Sequence, residues 1–287
     1  MWLSGIPKHI EILGAGVAGI RAALDLKKKV DSRMGRIVLV DENDYHQYLY
    51  KIQEVCNKDY EEKDIIVPIS RLIKWKKIEF IKASVRTVDP ERRVVEMTDG
   101  EITYDILVIA LGSHVAYFGI EGLEENSLAL SSFEAAKEIR SRIEELFKEA
   151  ERTGAPPNIV VGGRGFTGVE IADWYPILCR AHNIVNPQYY ASFVEMMPKI
   201  LSGWDEGLVL NGQEVLSEIG IQLVLNDAVT RVSEGSYRLY PLRDASQIIS
   251  ERVGCAWIVL AISSSFALTF ILKHSSSINS LALGANI

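Results

Sequence analysis

The sequence has few cysteines and no stretch that resembles a targeting signal. Its three cysteines, Cys56, Cys179 and Cys255, lie far apart in 287 residues and form no CxxC pair. Neither a disulfide framework nor a zinc site is therefore expected, and no metal is predicted. No apolar core of signal-peptide length precedes Lys8, so we expect a cytoplasmic protein.

The chain also lacks an excess of positive charge, an internal short repeat and the composition of a disordered protein. Its formal net charge is −7, with 48% hydrophobic and 24% charged residues. We expect no nucleic-acid partner, because such binding depends mainly on neutralising phosphates. The length favours roughly two domains, at about 100–200 residues each.

A glycine-rich motif stands near the start of the chain. His9–Leu13 is typical of a short buried strand, and the turn GAGVAG of residues 14–19 follows at once. Apolar residues then recur at helical spacing to about Lys29, and a second apolar run, Ile37–Val40, ends in Asp41. In such a unit the glycines permit a tight turn, a close approach to a pyrophosphate and helix–strand packing. The acid at the end of the second strand binds a ribose.

The same arrangement occurs a second time. Asn158–Val161 is followed by GRGFTG at residues 163–168, then by a helix and by the strand Ala191–Val194, which ends in Glu195. This acid lies 27 residues beyond Gly168, somewhat more than the expected ~20. Strands that alternate with helices predict an α/β fold with doubly wound parallel sheets.

Two dinucleotide motifs in one chain favour two dinucleotides. A flavin and a nicotinamide are the economical pair, because a hydride can pass between them. Glu195 should repel a ribose 2′-phosphate, which favours NADH over NADPH. Arg164 lies inside the second glycine turn and argues the other way, unless it is a solvated loop residue.

Five stretches of this sequence resemble the type II NADH dehydrogenases. They are Lys8–Ala22 (KHIEILGAGVAGIRA), Val40–Val55 (VDENDYHQYLYKIQEV), Tyr104–Ser113 (YDILVIALGS), Ile159–Ala172 (IVVGGRGFTGVEIA) and Phe193–Asp205 (FVEMMPKILSGWD). That family consists of single-chain, non-proton-pumping flavoproteins with two dinucleotide-binding domains. The resemblance covers roughly residues 8–235.

The resemblance implies a set of site residues. FAD would lie on Gly14, Ala15, Gly16 and Gly19, with Asp41 on its ribose, the backbone of Val85 at its adenine, and Ala110, Leu111 and Gly112 along the flavin. NADH would lie on Gly163, Gly165 and Gly168, with Glu195 on its ribose and Glu170 close to the nicotinamide and flavin rings. For His46 we expect a structural role.

It also implies an architecture and a reaction. Two Rossmann-like domains are expected, with an FAD-binding domain over residues 1–115, an NADH-binding domain over 116–235 inserted in it, and an atypical tail over 236–287. The expected activity passes a hydride from NADH to FAD and then two electrons to a membrane quinone. The enzyme would be peripheral on the inner face of the cell membrane, and a homodimer is a further expectation.

Two local signals lie outside the glycine motifs. Asp99-Gly100, between Met97 and Ile102, predicts a hairpin. Ser131 and Glu134 predict a capping box at the start of a charged helix that ends near Arg152.

The end of the chain departs from the family. The Gly-Asp dipeptide that contacts the flavin in this family occurs nowhere in the sequence. Val253–Leu272 has no charged residue, and three interpretations stay open: a membrane-spanning helix, a buried segment, or a sequence read out of its ancestral frame.

Three functional alternatives to the quinone reductase are therefore open. One is a non-catalytic nucleotide-binding remnant that lacks the flavin and quinone elements. Another is a flavin reductase with a soluble acceptor. The third is a sulfide:quinone-type flavoprotein. Paired cysteines near the flavin would favour that class, but this sequence does not supply them.

Overall fold

The chain divides into two compact units. A computed structural model describes residues 8–31, 33, 35–56, 60–154, 157–163, 165–181, 191–241, 250–253, 256–260 and 265–266. The first unit comprises the described residues of 1–47 and 66–114 together with residue 266, and the second those of 48–65 and 115–265.

Strands and helices alternate along both units. As far as residue 114 the elements are β1 (Lys8–Leu13), α1 (Val17–Lys29), β2 (Gly35–Asp41), β3 (Tyr45–Gln47), a 3₁₀ helix (Leu49–Cys56), α2 (Glu62–Ile65), β4 (Ile66–Pro68), α3 (Ile69–Leu72), β5 (Glu79–Lys82), β6 (Val85–Asp89), β7 (Val94–Met97), β8 (Gly100–Thr103), β9 (Ile106–Ile109) and β10 (Ser113–His114). After it come α4 (Phe133–Thr153), β11 (Ile159–Gly162), α5 (Phe166–Ala181), β12 (Ala191–Glu195), α6 (Glu206–Glu218), β13 (Ile221–Leu225), β14 (Asp227–Ser233), β15 (Ser236–Pro241), β16 (Ser250–Val253), β17 (Ala256–Leu260) and β18 (Ser265–Phe266).

The first unit has three layers around a parallel sheet in the order β5-β2-β1-β9. On one face Ile10 and Ile12 of β1 pack with Ile20 of α1. On the other face Leu13 packs with Val95 of the antiparallel sheet β6-β7-β8. The strands read as continuous apolar runs because both faces are covered.

The second unit is built on another parallel sheet, in the order β13-β12-β11-β17. Two parallel sheets with helices between their strands confirm the predicted α/β class. Helix α4 begins after Ser132, whose side chain accepts a hydrogen bond from Ala135 N at 3.1 Å. The cap is thus Ser132 rather than the predicted Ser131, because the helix starts one residue later. The helix ends at Gly154 in the left-handed conformation, close to the predicted Arg152.

The hairpin predicted at residues 97–102 is confirmed, with Met97 opposite Gly100 and Val95 opposite Ile102. Residue 235, where the sequence predicts a domain boundary, lies in a turn between two paired strands, β14 and β15. Tyr237 and Leu239 of β15 are buried in the core of the second unit. The chain therefore continues to build this unit beyond Gly235.

Part of the charge-free segment Val253–Leu272 forms a strand. Ala256–Leu260 is β17, which pairs in parallel with β11. Residues 254–255, 261–264 and 267–272 of that segment lie outside the described residues. In the described part of the chain, no helix has the length and apolar character needed to cross a bilayer.

Candidate functional site: two glycine cradles

The glycine turn of residues 14–19, here called the first cradle, joins β1 to α1. Gly14 has φ +96°, and a Cβ there would meet the carbonyl oxygen of Ala110 at 2.2 Å. A Cβ on Gly19 would lie 1.8 Å from the carbonyl oxygen of Gly14, so the helix packs directly on the turn. A Cβ on Gly16 would meet nothing within 4 Å. The outer glycines therefore serve packing, whereas the central one leaves backbone open to a ligand.

Asp41, the last residue of β2, faces this cradle. Its Oδ2 accepts a hydrogen bond from Ala15 N at 2.6 Å, and its Oδ1 accepts one from Asn43 N at 2.8 Å. His46 Nδ1 lies 2.8 Å from the carbonyl oxygen of Ala15. The predicted acid thus lies at the first cradle, where it bonds the peptide before Ala15, and a buried histidine bonds the peptide after it.

The remaining predicted FAD residues lie on neighbouring segments of the first unit. Ala110 N donates to Leu13 O at 2.7 Å, which places Ala110–Gly112 directly beside the first cradle. Ala83 N donates to Asp41 O at 2.9 Å, and Val85 begins β6 two residues later, half-buried. The fold brings these segments to the carboxyl ends of β1, β2 and β9, where open α/β sheets bind ligands.

The glycine turn of residues 163–168, the second cradle, repeats this construction between β11 and α5. Gly163 has φ +122°, and a Cβ on Gly168 would lie 3.0 Å from the carbonyl oxygen of Gly163. A Cβ on Gly165 would meet nothing within 4 Å. The central glycine is again the open one, while Arg164 lies outside the described residues.

Glu195 is the last residue of β12 and the counterpart of Asp41. It is buried, and its Oε1 accepts a hydrogen bond from Met197 N at 2.8 Å. Asp41 and Glu195 therefore make the same bond, to the amide two residues further on. This bond fixes each carboxylate at the end of its strand, as the sequence pattern requires.

Glu170 lies on α5, just after the second cradle. Partial burial and then the negative charge of Glu54 raise the pKa of its carboxyl group above the ordinary range. Glu54 belongs to the 3₁₀ helix and was not among the predicted site residues. Its closeness depends on tertiary packing between segments more than a hundred residues apart, and no local pattern announces it.

A pair of exposed aromatic side chains lies at the second cradle and was also absent from the residues predicted from the sequence. Phe166, the first residue of α5, meets Trp204 edge to face with ring centroids 4.7 Å apart. The phenylalanine within the GRGFTG motif was the feature of the sequence that could have indicated this pair.

The cysteines of the described residues do not suit disulfide chemistry. Cys56 and Cys179 are both buried and unpaired. Burial raises the pKa of the Cys56 thiol to about 12, so the reactive thiolate is disfavoured. Cys255 lies outside the described residues. No group of histidine, cysteine or acidic side chains in the described ranges is arranged to hold a metal ion.

Comparison with known proteins points to one family. The model of the family described as pyridine nucleotide-disulphide oxidoreductase matches residues 8–257. A type II NADH:quinone oxidoreductase of Staphylococcus aureus (strain NCTC 8325 / PS 47) is 29% identical over 238 residues, which cover 80% of this chain and 59% of that protein. The chain thus spans about three-fifths of the length of the curated relatives it matches.

Solved structures show the same fold. NDH2 from Plasmodium falciparum in complex with NADH is similar with a TM-score of 0.82, at 16% identity, over 93% of this chain and 57% of that one. The sulfide:quinone oxidoreductase of Aquifex aeolicus is similar with a TM-score of 0.75, at 24% identity, over 90% of this chain and 59% of that one. Together with the family match, these findings confirm the resemblance and the Rossmann-like class inferred from the sequence.

Proposed function

Because the chain belongs to the pyridine nucleotide-disulphide oxidoreductase family, we propose that it binds FAD at the first cradle and NADH at the second and oxidises NADH. The observation that supports this is the construction of the two cradles. Each has an open central glycine and a final glycine packed against the first, and in each unit a carboxylate, Asp41 or Glu195, ends the strand that follows the helix. FAD supplies an acceptor for the hydride of NADH and a donor of two electrons to a second substrate.

In the first cradle, the backbone around Gly16 would receive the FAD pyrophosphate at the N-terminus of α1. Unpaired amide groups and the positive end of the helix dipole favour an anion there. Asp41 would accept hydrogen bonds from the adenosine ribose, with Val85 near the adenine and Ala110–Gly112 along the flavin. The residues present fit the group, because the space beside Gly16 is free of protein atoms.

In the second cradle, Gly163, Gly165 and Gly168 would receive the NADH pyrophosphate. Glu195 would accept hydrogen bonds from the adenosine ribose, and its negative charge disfavours the 2′-phosphate of NADPH. Glu170 is the proposed catalytic residue, since a raised pKa suits a carboxyl group that holds a proton near the reacting rings.

A quinone is the proposed electron acceptor, because the Staphylococcus aureus relative is an NADH:quinone oxidoreductase. A membrane quinone would require peripheral attachment, which we propose on the inner face of the cell membrane, and a homodimer is part of the same proposal. We further propose that the NADH-binding domain is inserted in the FAD-binding domain.

The test begins with the absorption spectrum of the purified chain after reconstitution with FAD. We expect visible flavin absorbance that bleaches when NADH is added without oxygen. Acceptor screening with a water-soluble quinone, oxygen and sulfide then separates a quinone reductase from enzymes with soluble acceptors. A chain that cannot be reconstituted with FAD contradicts the proposal, and one that binds a single dinucleotide without turnover is the non-catalytic remnant.

Two matched variants assign the cradles. Gly16→Ala should weaken FAD binding and Gly165→Ala should weaken NADH binding, each by at least about tenfold, because a methyl group enters the space left for a pyrophosphate. Neither methyl group would touch protein atoms, so both variants should keep the circular dichroism of the parent. If Gly165→Ala loses FAD and Gly16→Ala retains it, the assignment of the two cradles is reversed.

A further inference from the structure

An unusually exposed tryptophan stands on the loop that follows α3. Trp75 is 90% exposed and has φ 63°, a left-handed conformation that a bulky residue rarely adopts. The neighbouring Lys77 also has a positive φ, of 53°. Because the indole is exposed, it does not contribute to the hydrophobic core of the fold.

Lysines from two segments lie on the same surface as this indole. Lys27–Lys29 form the last turn of α1, and Lys74–Lys77 form the loop after α3. Most of these residues line one shallow, open depression in the first unit, and Lys74 Nζ lies 5.4 Å from the centre of the Trp75 ring. We call the surface of Lys27–Lys29 and Lys74–Lys77 the lysine–tryptophan patch.

The patch is positively charged although the whole chain has a formal net charge of −7. Two acidic side chains lie beside it: Asp31 is bonded to Arg33, and Asp25 is bonded both to Arg21 and to Lys28 of the patch. Within the described ranges, no carboxylate forms an ion pair with Lys29, Lys76 or Lys77. Several ammonium groups are therefore available to an anionic partner.

We propose that the lysine–tryptophan patch docks the protein on a bilayer that contains anionic phospholipids. Tryptophan prefers the boundary between headgroups and acyl chains, and lysines reach the headgroup phosphates from the same depth. Clustered lysines are attracted to anionic lipid at about fivefold in affinity per residue. The phosphates of a duplex nucleic acid would bind the lysines, but the duplex would provide no apolar environment for the exposed indole.

Docking through this patch leaves the first cradle open to water. The patch includes the C-terminal end of α1, and the cradle lies at the N-terminal end of the same helix. The 13 residues of α1 separate the two by about 20 Å. The inference specifies the surface for the membrane attachment proposed above, but it does not depend on the redox reaction, because vesicle binding is measured without FAD or NADH.

The test is flotation of the full chain with vesicles. We expect binding to mixed phosphatidylglycerol–phosphatidylcholine vesicles, weak binding to pure phosphatidylcholine, and release at high salt, where charge attraction is screened. Lys76→Glu/Lys77→Glu should lower the partition coefficient at least about tenfold, and Trp75→Ala by about threefold or more. Brominated acyl chains should quench a fluorescence component that Trp75→Phe lacks.

Matched variants outside the patch provide the controls. Lys137→Glu/Lys148→Glu changes two exposed lysines of α4, and Trp204→Ala removes another exposed indole; both should bind vesicles like the parent. Equal loss in patch and control variants overturns the proposal, as does equal binding to neutral vesicles. The proposal is also overturned if the chain binds duplex DNA but not vesicles at the same salt concentration, and if Lys76→Glu/Lys77→Glu loses that DNA binding. The partner of the patch would then be a nucleic acid.

Discussion

Replacement of Glu11 by glutamine should make the protein more stable at alkaline pH. Glu11 lies in the middle of β1, is fully buried, and neither of its carboxylate oxygens has a hydrogen-bond partner in the described structure. Desolvation raises the pKa of this carboxyl group to about 7, Arg36 lowers it, and Glu79 raises it. The folded protein therefore keeps Glu11 neutral at a pH where the unfolded chain has ionised it.

The magnitude follows from the two pKa values. A rise from 4.5 to about 7, at about 1.4 kcal/mol per pH unit, corresponds to about 3 kcal/mol of stability. The contribution of neutral Glu11 is fully present below about pH 4.5 and is lost as the pH rises to about 7. Above that pH, the buried charge imposes its full cost on the parent but not on Glu11→Gln.

Urea unfolding followed by circular dichroism measures the effect. We expect Glu11→Gln to match the parent at acidic pH and to exceed its free energy of unfolding by up to about 3 kcal/mol at about pH 8. Glu101→Gln, which changes an exposed carboxyl group on β8, should show no such dependence. A difference between Glu11→Gln and the parent that stays constant with pH would refute the reasoning.

Three further outcomes are expected. Gly14→Ala should destabilise the chain by at least about 2 kcal/mol in urea unfolding and abolish FAD binding, because the new methyl group needs a strained backbone and meets Ala110 O at 2.2 Å; an unchanged midpoint would exclude the close packing. Ser132→Ala should cost about 1 kcal/mol in the same assay, since Ala135 N loses its cap, whereas Ser132→Thr should recover most of it. Cys56 should react with a thiol reagent only after urea unfolds the chain, because burial raises its pKa to about 12; rapid labelling of the native protein would contradict this.

The cradles were predictable from sequence because their information is local. A strand, a glycine turn, the start of a helix and an acid after the next strand are all read within about 30 residues. Each piece is also restrictive, since Gly14 and Gly19 stand where a Cβ would meet backbone. The expectation that an acid ends the second strand held at both Asp41 and Glu195.

Features that depend on tertiary packing were not predictable in the same way. Ala256–Leu260 is a parallel strand, and strands of parallel sheets read as unbroken apolar runs that periodicity cannot separate from a helix. The pairing of β14 with β15 could not be predicted either, because the polar turn around Gly235 is as typical of a domain boundary as of a hairpin. The charge of Glu54 at Glu170 required knowing how the 3₁₀ helix packs on α5.

The construction of the first cradle explains why few side chains are needed to hold its backbone in shape. Asp41 accepts from Ala15 N and Asn43 N, while His46 bonds the carbonyl oxygen of Ala15. The peptides on both sides of Ala15 are therefore fixed before any ligand arrives, and the entropy of ordering the turn is spent in folding rather than in binding. Because the surface offered beside Gly16 is backbone, its shape depends on these few bonds and on the packed glycines, and the rest of the sequence can diverge without altering it.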